Sequence, residues 1–256
     1  MDVRAAQLSV WPLPRFPEVR VGDELATLVL EAAGAERIDI TSGDVVVVAQ
    51  KVVSKAEGRL RSLDEIAPSP RADELATRTG KEPRLVQAVL DESAEVLRSE
   101  RDVLITRTRH GYVCANAGVD RSNVPGEALA LLPTDPDGSA RRLRAEVERR
   151  TGVRPAVVIS DSFGRPWRLG QVDVAIGCAG LAPLQDLRGK RDAVGHELVA
   201  TLPAIADEAA AAAGLVRSKA GREAVVIVRG LERHITPDDG PGAAALVRPL
   251  SDDLFR

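Results

Sequence analysis

Two acidic segments, each following an apolar run, are the residues of this chain best suited to chemistry. One is Asn116-Ala-Gly-Val-Asp120-Arg-Ser-Asn123; the other is Ser160-Asp161-Ser162-Phe-Gly164-Arg165-Pro-Trp-Arg168. Each sets an Asp where a strand is expected to hand over to a loop, beside hydroxyl and amide groups. Such oxygens bind hard divalent cations, and loops on a rigid scaffold are where sites tend to lie. A third segment, Gln50-Lys51-Val-Val-Ser54-Lys55-Ala-Glu57-Gly58-Arg59, ends another apolar run in ammonium groups. Asp120 and Asp161 for metal, with Lys51 and Lys55 for phosphate, describe nucleotide-dependent chemistry. Each piece alone has a plainer reading. Asn, Asp and Gly accept tight turns, Ser-Asp-Ser can cap a helix, and lysines decorate solvated strand ends. The conjunction of the three favours chemistry.

Other polar groups carry less. Arg165 and Arg168 flank Trp167, and guanidinium forks match phosphates and carboxylates; the same residues also make an ordinary surface loop. Asp135, Asp137 and Ser139 read as a turn and helix cap. No histidine is assigned a role, and Cys114 and Cys178 read as core. No lysine is followed by Ser or Thr, so the chain has no Walker A motif and a nucleotide would need another phosphate cradle.

The elements that must position these residues follow from composition and pattern. The 256 residues suffice for one large domain or two small ones, and 44% are hydrophobic. Aromatics are only 2%, so the core must be aliphatic. Lys plus Arg is 35 against 38 Asp plus Glu, a net charge of −3, which argues against a nucleic-acid binder. The start lacks the basic-then-apolar order of a signal peptide, and no apolar run reaches the ~20 residues that span a bilayer. With no Cys-X-X-Cys spacing, a reduced cytoplasmic protein is the expectation.

Strands are expected at Val3–Val10, Asp44–Gln50, Ala156–Ser160, Val172–Cys178 and Ala224–Arg229, with a hairpin over Val103–Thr108 and Tyr112–Ala115. Helices are expected at Asp23–Ala33, capped by Asp23 and stopped by Gly34, and at Arg71–Thr79, Arg84–Arg98, Ala140–Arg150 and Leu198–Leu215. The prolines of Trp11-Pro-Leu-Pro-Arg-Phe-Pro17 forbid helix and favour extended backbone. Strands and helices alternate, but several strands are consecutive. An α/β fold of mixed α+β character fits, with parallel and antiparallel sheets flanked by helices. Residues 1–256 read as a single unit, with two interleaved subdomains as one arrangement of it.

In order and spacing, the three segments above and Leu132-Pro-Thr-Asp-Pro-Asp-Gly-Ser139 resemble the coenzyme F-420-0:L-glutamate ligase (γ-glutamyl ligase) family. Gly189-Lys-Arg-Asp192, Ala206-Asp-Glu208 and Val228-Arg-Gly230 extend the likeness over about Leu13 to Gly230. It implies a GTP-dependent amide ligase that adds L-glutamate to a deazaflavin precursor through an acyl phosphate. It also implies two Mg2+ or Mn2+ ions, a monovalent cation such as K+, and an intertwined homodimer. Residue by residue, Asp120 and Asp161 match metal carboxylates and Ser162 a hydroxyl ligand of a second ion. Asn123 matches a nucleotide contact; Leu13, Pro14, Arg15, Phe16, Gln50, Lys51 and Lys55 match the GTP-site segments. The family's glycine-rich nucleotide loop is here Val216-Arg-Ser-Lys219-Ala-Gly221-Arg-Glu223, poorer in glycine. Lys55, Asp161 and Arg165 are the expected catalytic residues, Arg165 on charge alone. The flavin-binding domain that follows the ligase in some relatives is not expected here, nor is a nucleic-acid or membrane partner. Two rival readings stand beside this one: a metal-dependent nucleotide phosphohydrolase or phosphotransferase, and a non-catalytic nucleotide-binding protein.

Overall fold

A computed structural model describes residues 7–122, 126, 128–218 and 221–254. Its centre is a five-stranded mixed sheet in the order β1-β10-β2-β8-β9. The strands are β1 (Ser9–Leu13), β2 (Asp44–Ala49), β8 (Ala156–Arg165), β9 (Arg168–Ala179) and β10 (Val225–Arg229). Only the β2/β8 pair is parallel; β1/β10, β10/β2 and β8/β9 are antiparallel. The inner strands are apolar on both faces because both faces are covered. Alternate side chains part cleanly. Val46, Val48, Val157, Ile159, Val225 and Ile227 face α1 (Leu25–Ala35) and α5 (Pro136–Thr151). Val45, Val47, Ala156, Val158, Val226 and Val228 face α6 (Ile205–Val216), whose alanines let it approach closely.

Residues 60–131 surround a second core. β3 (Leu60–Ser62) pairs with β7 (Ala128–Ala130), and β4 (Ser93–Glu100), β5 (Val103–Thr108) and β6 (Val113–Ala115) form an antiparallel sheet. With α3 (Pro70–Thr79) and α4 (Pro83–Asp91) they bury Leu63, Leu75, Val86, Val89, Leu104 and Leu129.

Helix ends follow local chemistry. Ser69 accepts from the Ala72 N–H at the start of α3, which stops at left-handed Gly80. Asp135 accepts from Gly138 N–H at the start of α5, which stops at left-handed Gly152.

The mixed α/β class matches the sequence expectation, but several boundaries move. The Arg84–Arg98 helix ends at Asp91, because Ser93–Glu100 pairs with β5 instead. The Leu198–Leu215 helix begins only at Ile205, since Pro203 interrupts it and Leu198 bonds back to Gly189 and Lys190. Asp23 does not cap α1: its carboxylate accepts the Arg20 N–H, and the helix passes through Gly34 to Ala35. The proline-bearing Trp11–Leu13 joins β1, where Pro12 is tolerated because β1 is an edge strand. Of the Val3–Val10 expectation, residues 3–6 lie outside the described residues.

A half-buried ion pair ties the sheet's opening end. Asp44, fully buried, accepts both Arg229 Nε at 2.6 Å and an Arg229 terminal nitrogen at 2.8 Å, and the guanidinium lies 5.0 Å from the Trp11 ring centroid. Arg229→Lys keeps the charge but loses the fork and the stacking. It should cost about 1–2 kcal/mol and lower the melting temperature by about 2–4 °C in calorimetry; an unchanged midpoint would show the fork to be dispensable.

Candidate active site

Where β2 and β8 end side by side, a crevice opens beyond their carboxyl ends, the usual ligand position in sheets of this kind. It is a cavity of about 700 Å³, within the ~300–1,000 Å³ range of small-molecule sites.

The chain turns from β2 directly into α2 (Gln50–Ala56), so Lys51 and Lys55 stand on a helix rather than on the expected charged turn. Four residues apart, they share a face. Lys51 Nζ meets Asp120 at 2.7 Å and also the Ser122 hydroxyl; Lys55 Nζ pairs with Glu18. Gln50 is only 2% exposed: its Oε1 accepts from Ser54 Oγ, while its Nε2 has no hydrogen-bond partner. A buried donor left open on a cavity wall suits an acceptor on a bound molecule.

Asp120 is delivered by a sharply turned segment. Asn116, Ala117 and Gly118 all take left-handed backbone, and two of them are not glycine. Such strain collects at functional sites. Asp120 is then held by reciprocal main-chain bonds with Ala130.

Asp161 does not sit after a strand, as expected, but inside one: β8 continues to Arg165 because β9 pairs along it as a long hairpin. Burial pushes the Asp161 carboxyl up to about 6; the Ser162 N–H and Lys51 pull it down, while the Asp120 and Asp173 charges raise it. Burial also raises Asp120, but hydrogen bonds from Lys51 and Ser122 more than offset it and hold that carboxyl below its ordinary value. The site therefore holds one firmly ionised carboxylate and one that changes state near pH 6. Cys114 and Cys178 are free and buried. Burial first, then Asp161, pushes the Cys114 thiol up to about 12, so it is an inert core group.

The structure brings Phe16, Gln50, Lys51 and Lys55 to this cavity, with Asp120, Asp161, Ser162 and Gly221. Leu13 is a core residue, and neither Pro14 nor Arg15 lines the cavity. Arg165 does not line it either: it lies near the hairpin tip and donates to the Leu169 carbonyl. Asn123 and Lys219 lie outside the described residues. Sequence reasoning missed Glu18, Ser160, Asp173 and Arg217, all on the cavity wall. A signal for Asp173 existed: Gly164 and Gly170 bracket a hairpin turn whose register sets Asp173 across from Ser162.

The donor set fits a hard cation, being carboxylate and hydroxyl oxygen. Among the described residues, no three His, Cys, Asp or Glu side chains converge on one point. Two carboxylates with substrate phosphate oxygens completing the shell is the usual arrangement for Mg2+.

Comparison with known proteins shows which family the chain falls in. The family described as F420-0:gamma-glutamyl ligase matches residues 14–230. A coenzyme F420:L-glutamate ligase of Methanothermobacter thermautotrophicus is 47% identical over 242 residues, 94% of this chain and 96% of its own. The enzyme of that name from Methanopyrus kandleri is 47% identical over 251 residues, 97% and 98% of the two chains. That of Methanocaldococcus jannaschii is 45% identical over 218 residues, 85% and 86%.

Proposed function

Since the chain belongs to the F420-0:gamma-glutamyl ligase family, we propose that it forms an amide bond between L-glutamate and a carboxylate of coenzyme F420-0. Further γ-linked additions fall within the same chemistry. GTP is the proposed co-substrate and Mg2+ or Mn2+ the proposed ion. The observation that carries this reading is the cavity itself: Asp120, Asp161, Lys51 and Lys55 meet at the carboxyl ends of β2 and β8.

A carboxylate resists amines because its oxygen is a poor leaving group and its charge repels the nucleophile's lone pair. In the proposed route a carboxylate oxygen of the precursor attacks the γ-phosphorus of GTP and GDP leaves. The glutamate amine then attacks the acyl carbon of the resulting acyl phosphate, inorganic phosphate departs and the amine loses a proton. Most of the enzyme's task is positioning and charge neutralisation. A divalent ion bound by Asp120, Asp161 and Ser162 would neutralise phosphate charge and hold the reacting groups in line. Lys51 supplies positive charge beside both carboxylates, and Lys55 offers a second ammonium on the same face. The open Gln50 Nε2 would donate to an acceptor of the nucleotide.

A homodimer and a cytoplasmic setting complete the reading. The β8–β9 hairpin exposes Trp167 at 82% and Leu169 at 96%, apolar surface suited to a second copy. Free, buried cysteines suit a reducing compartment. Among the described residues, no helix is long and apolar enough to cross a membrane.

The test is product analysis. Purified protein with F420-0, L-glutamate, GTP and Mn2+ should yield glutamylated product and matching GDP by mass spectrometry. GDP without glutamylation would favour a phosphohydrolase or phosphotransferase, and binding without turnover a nucleotide-binding protein.

A further inference from the structure

The Ser162 hydroxyl carries a single proton, and it donates that proton to Asp173 Oδ1 at 2.5 Å. Ser162 and Asp173 are register partners across β8 and β9. The other Asp173 oxygen accepts Arg217 Nη1 at 2.8 Å, and the same nitrogen reaches Ser160 Oγ at 2.9 Å. The rest of the guanidinium is occupied by main-chain carbonyls: Nε donates to Glu223 at 3.1 Å, and Nη2 to Val47 at 3.4 Å and Ala224 at 3.5 Å. Both partners of the ion pair are largely buried, with side chains 14% and 11% exposed. Even the neighbouring helix makes room. Gly214 of α6 lies so close that a Cβ there would stand 3.2 Å from Asp173 Cγ.

We propose that Asp173, anchored by Arg217, is a positioning residue: it accepts the Ser162 O–H hydrogen bond, so that the hydroxyl presents only lone pairs to the cavity. A hydroxyl fixed in that sense is preorganised to accept a divalent cation; one that donates its proton elsewhere in the cavity must first reorient. Partners behind a ligand orient it and raise its basicity, and losing them typically weakens metal binding ~10–100-fold. The inference rests on Ser162 as an ion ligand in the proposed function, and it adds the pair behind that ligand.

Asp173→Asn keeps the shape but can donate to Ser162 Oγ, which frees the hydroxyl proton toward the cavity. Mn2+ affinity, read by electron paramagnetic resonance with a non-hydrolysable GTP analogue present, should fall about 10-fold. In a Ser162→Ala background the same substitution should change affinity less than about 2-fold, because the group it orients is gone. Gly214→Ala, which crowds the carboxylate while favouring the helix, should weaken Mn2+ in the same direction without lowering the melting temperature, and it serves if Asp173→Asn does not fold. Unaltered Mn2+ affinity in both variants overturns the inference, as does an equal loss in the Ser162→Ala background. Absence of Mn2+ binding by the unsubstituted chain overturns the ion reading itself and this inference with it.

Discussion

Asp161→Asn should abolish glutamyl transfer and at the same time make the protein harder to unfold. Asn preserves shape and one oxygen but removes the charge that would hold a divalent ion. Loss of several kcal/mol of charge stabilisation corresponds to about a 10³-fold or larger fall in turnover. The stability gain follows from burial. The carboxyl is displaced from 3.8 up to about 6 in the folded chain. Above pH 6 both states are ionised, and the folded state bears the cost of a desolvated charge that the unfolded state avoids. That cost fades as pH falls through 6 and is gone below 3.8. At about 1.4 kcal/mol per pH unit the gap bounds the effect near 3 kcal/mol, and water in the open cavity reduces it to about 2 kcal/mol. Urea unfolding at pH 8 without divalent ions should show the variant more stable by about that amount, equivalent to about 4 °C in melting temperature. At pH 4.5 most of the difference should be lost. Retained turnover would remove Asp161 from the ion-binding role, and equal stability at pH 8 would remove the burial cost assigned to its carboxylate.

Arg144→Met should cost about 3–5 kcal/mol and lower the melting temperature by about 6–10 °C. Among the described residues, Arg144 is the largest fully buried side chain, 1% exposed. From the middle of α5 its Nε donates to Pro155 O at 3.0 Å, its Nη2 to Thr236 O at 2.8 Å, and its Nη1 to Asp238 O at 2.8 Å and Asp239 Oδ1 at 2.6 Å. It thus joins the segment before β8 to the 236–239 loop. Gly180 accommodates it: left-handed at φ 73°, it has no Cβ, and one would fall 2.3 Å from Arg144 Nε. Met fills similar space with no donor, and the acceptors lose their partners together. Because Arg144 does not line the cavity, the folded fraction should keep normal turnover at 25 °C. A midpoint within 1 °C of the unsubstituted protein, by calorimetry, would sink the claim.

What could be seen in the sequence was what is encoded locally. The valines of β2 announce a strand covered on both faces. Asp135, Pro136 and Gly152 bound α5 by capping chemistry that needs no distant partner. Errors fell where a distant partner decides. Ser93–Arg98 continues a helical pattern until β5 claims it for a sheet, and Asp161–Arg165 reads as a loop until β9 pairs with it. The site shows the same division. Asp120, Asp161 and Lys51 were visible as residue types able to do chemistry. Asp173 and Arg217 were not, since one matters through its register with Ser162 and the other through a buried ion pair formed across the sheet. Asp137 reads as a turn residue, yet its carboxylate accepts the N–H groups of Cys178 and Ala243, a task set by tertiary packing alone.

The strand order carries a consequence for how the chain matures. β10, from the last part of the sequence, lies between β1 and β2, and Ser9 finds its partner in Arg229. During synthesis β1 and β2 must wait with unpaired edges until residue 229 has left the ribosome. Pairings this distant close late and slowly. The cavity at the end of β2 is therefore among the last features to form, and a nascent chain halted before β10 displays sticky strand edges rather than an active ligase.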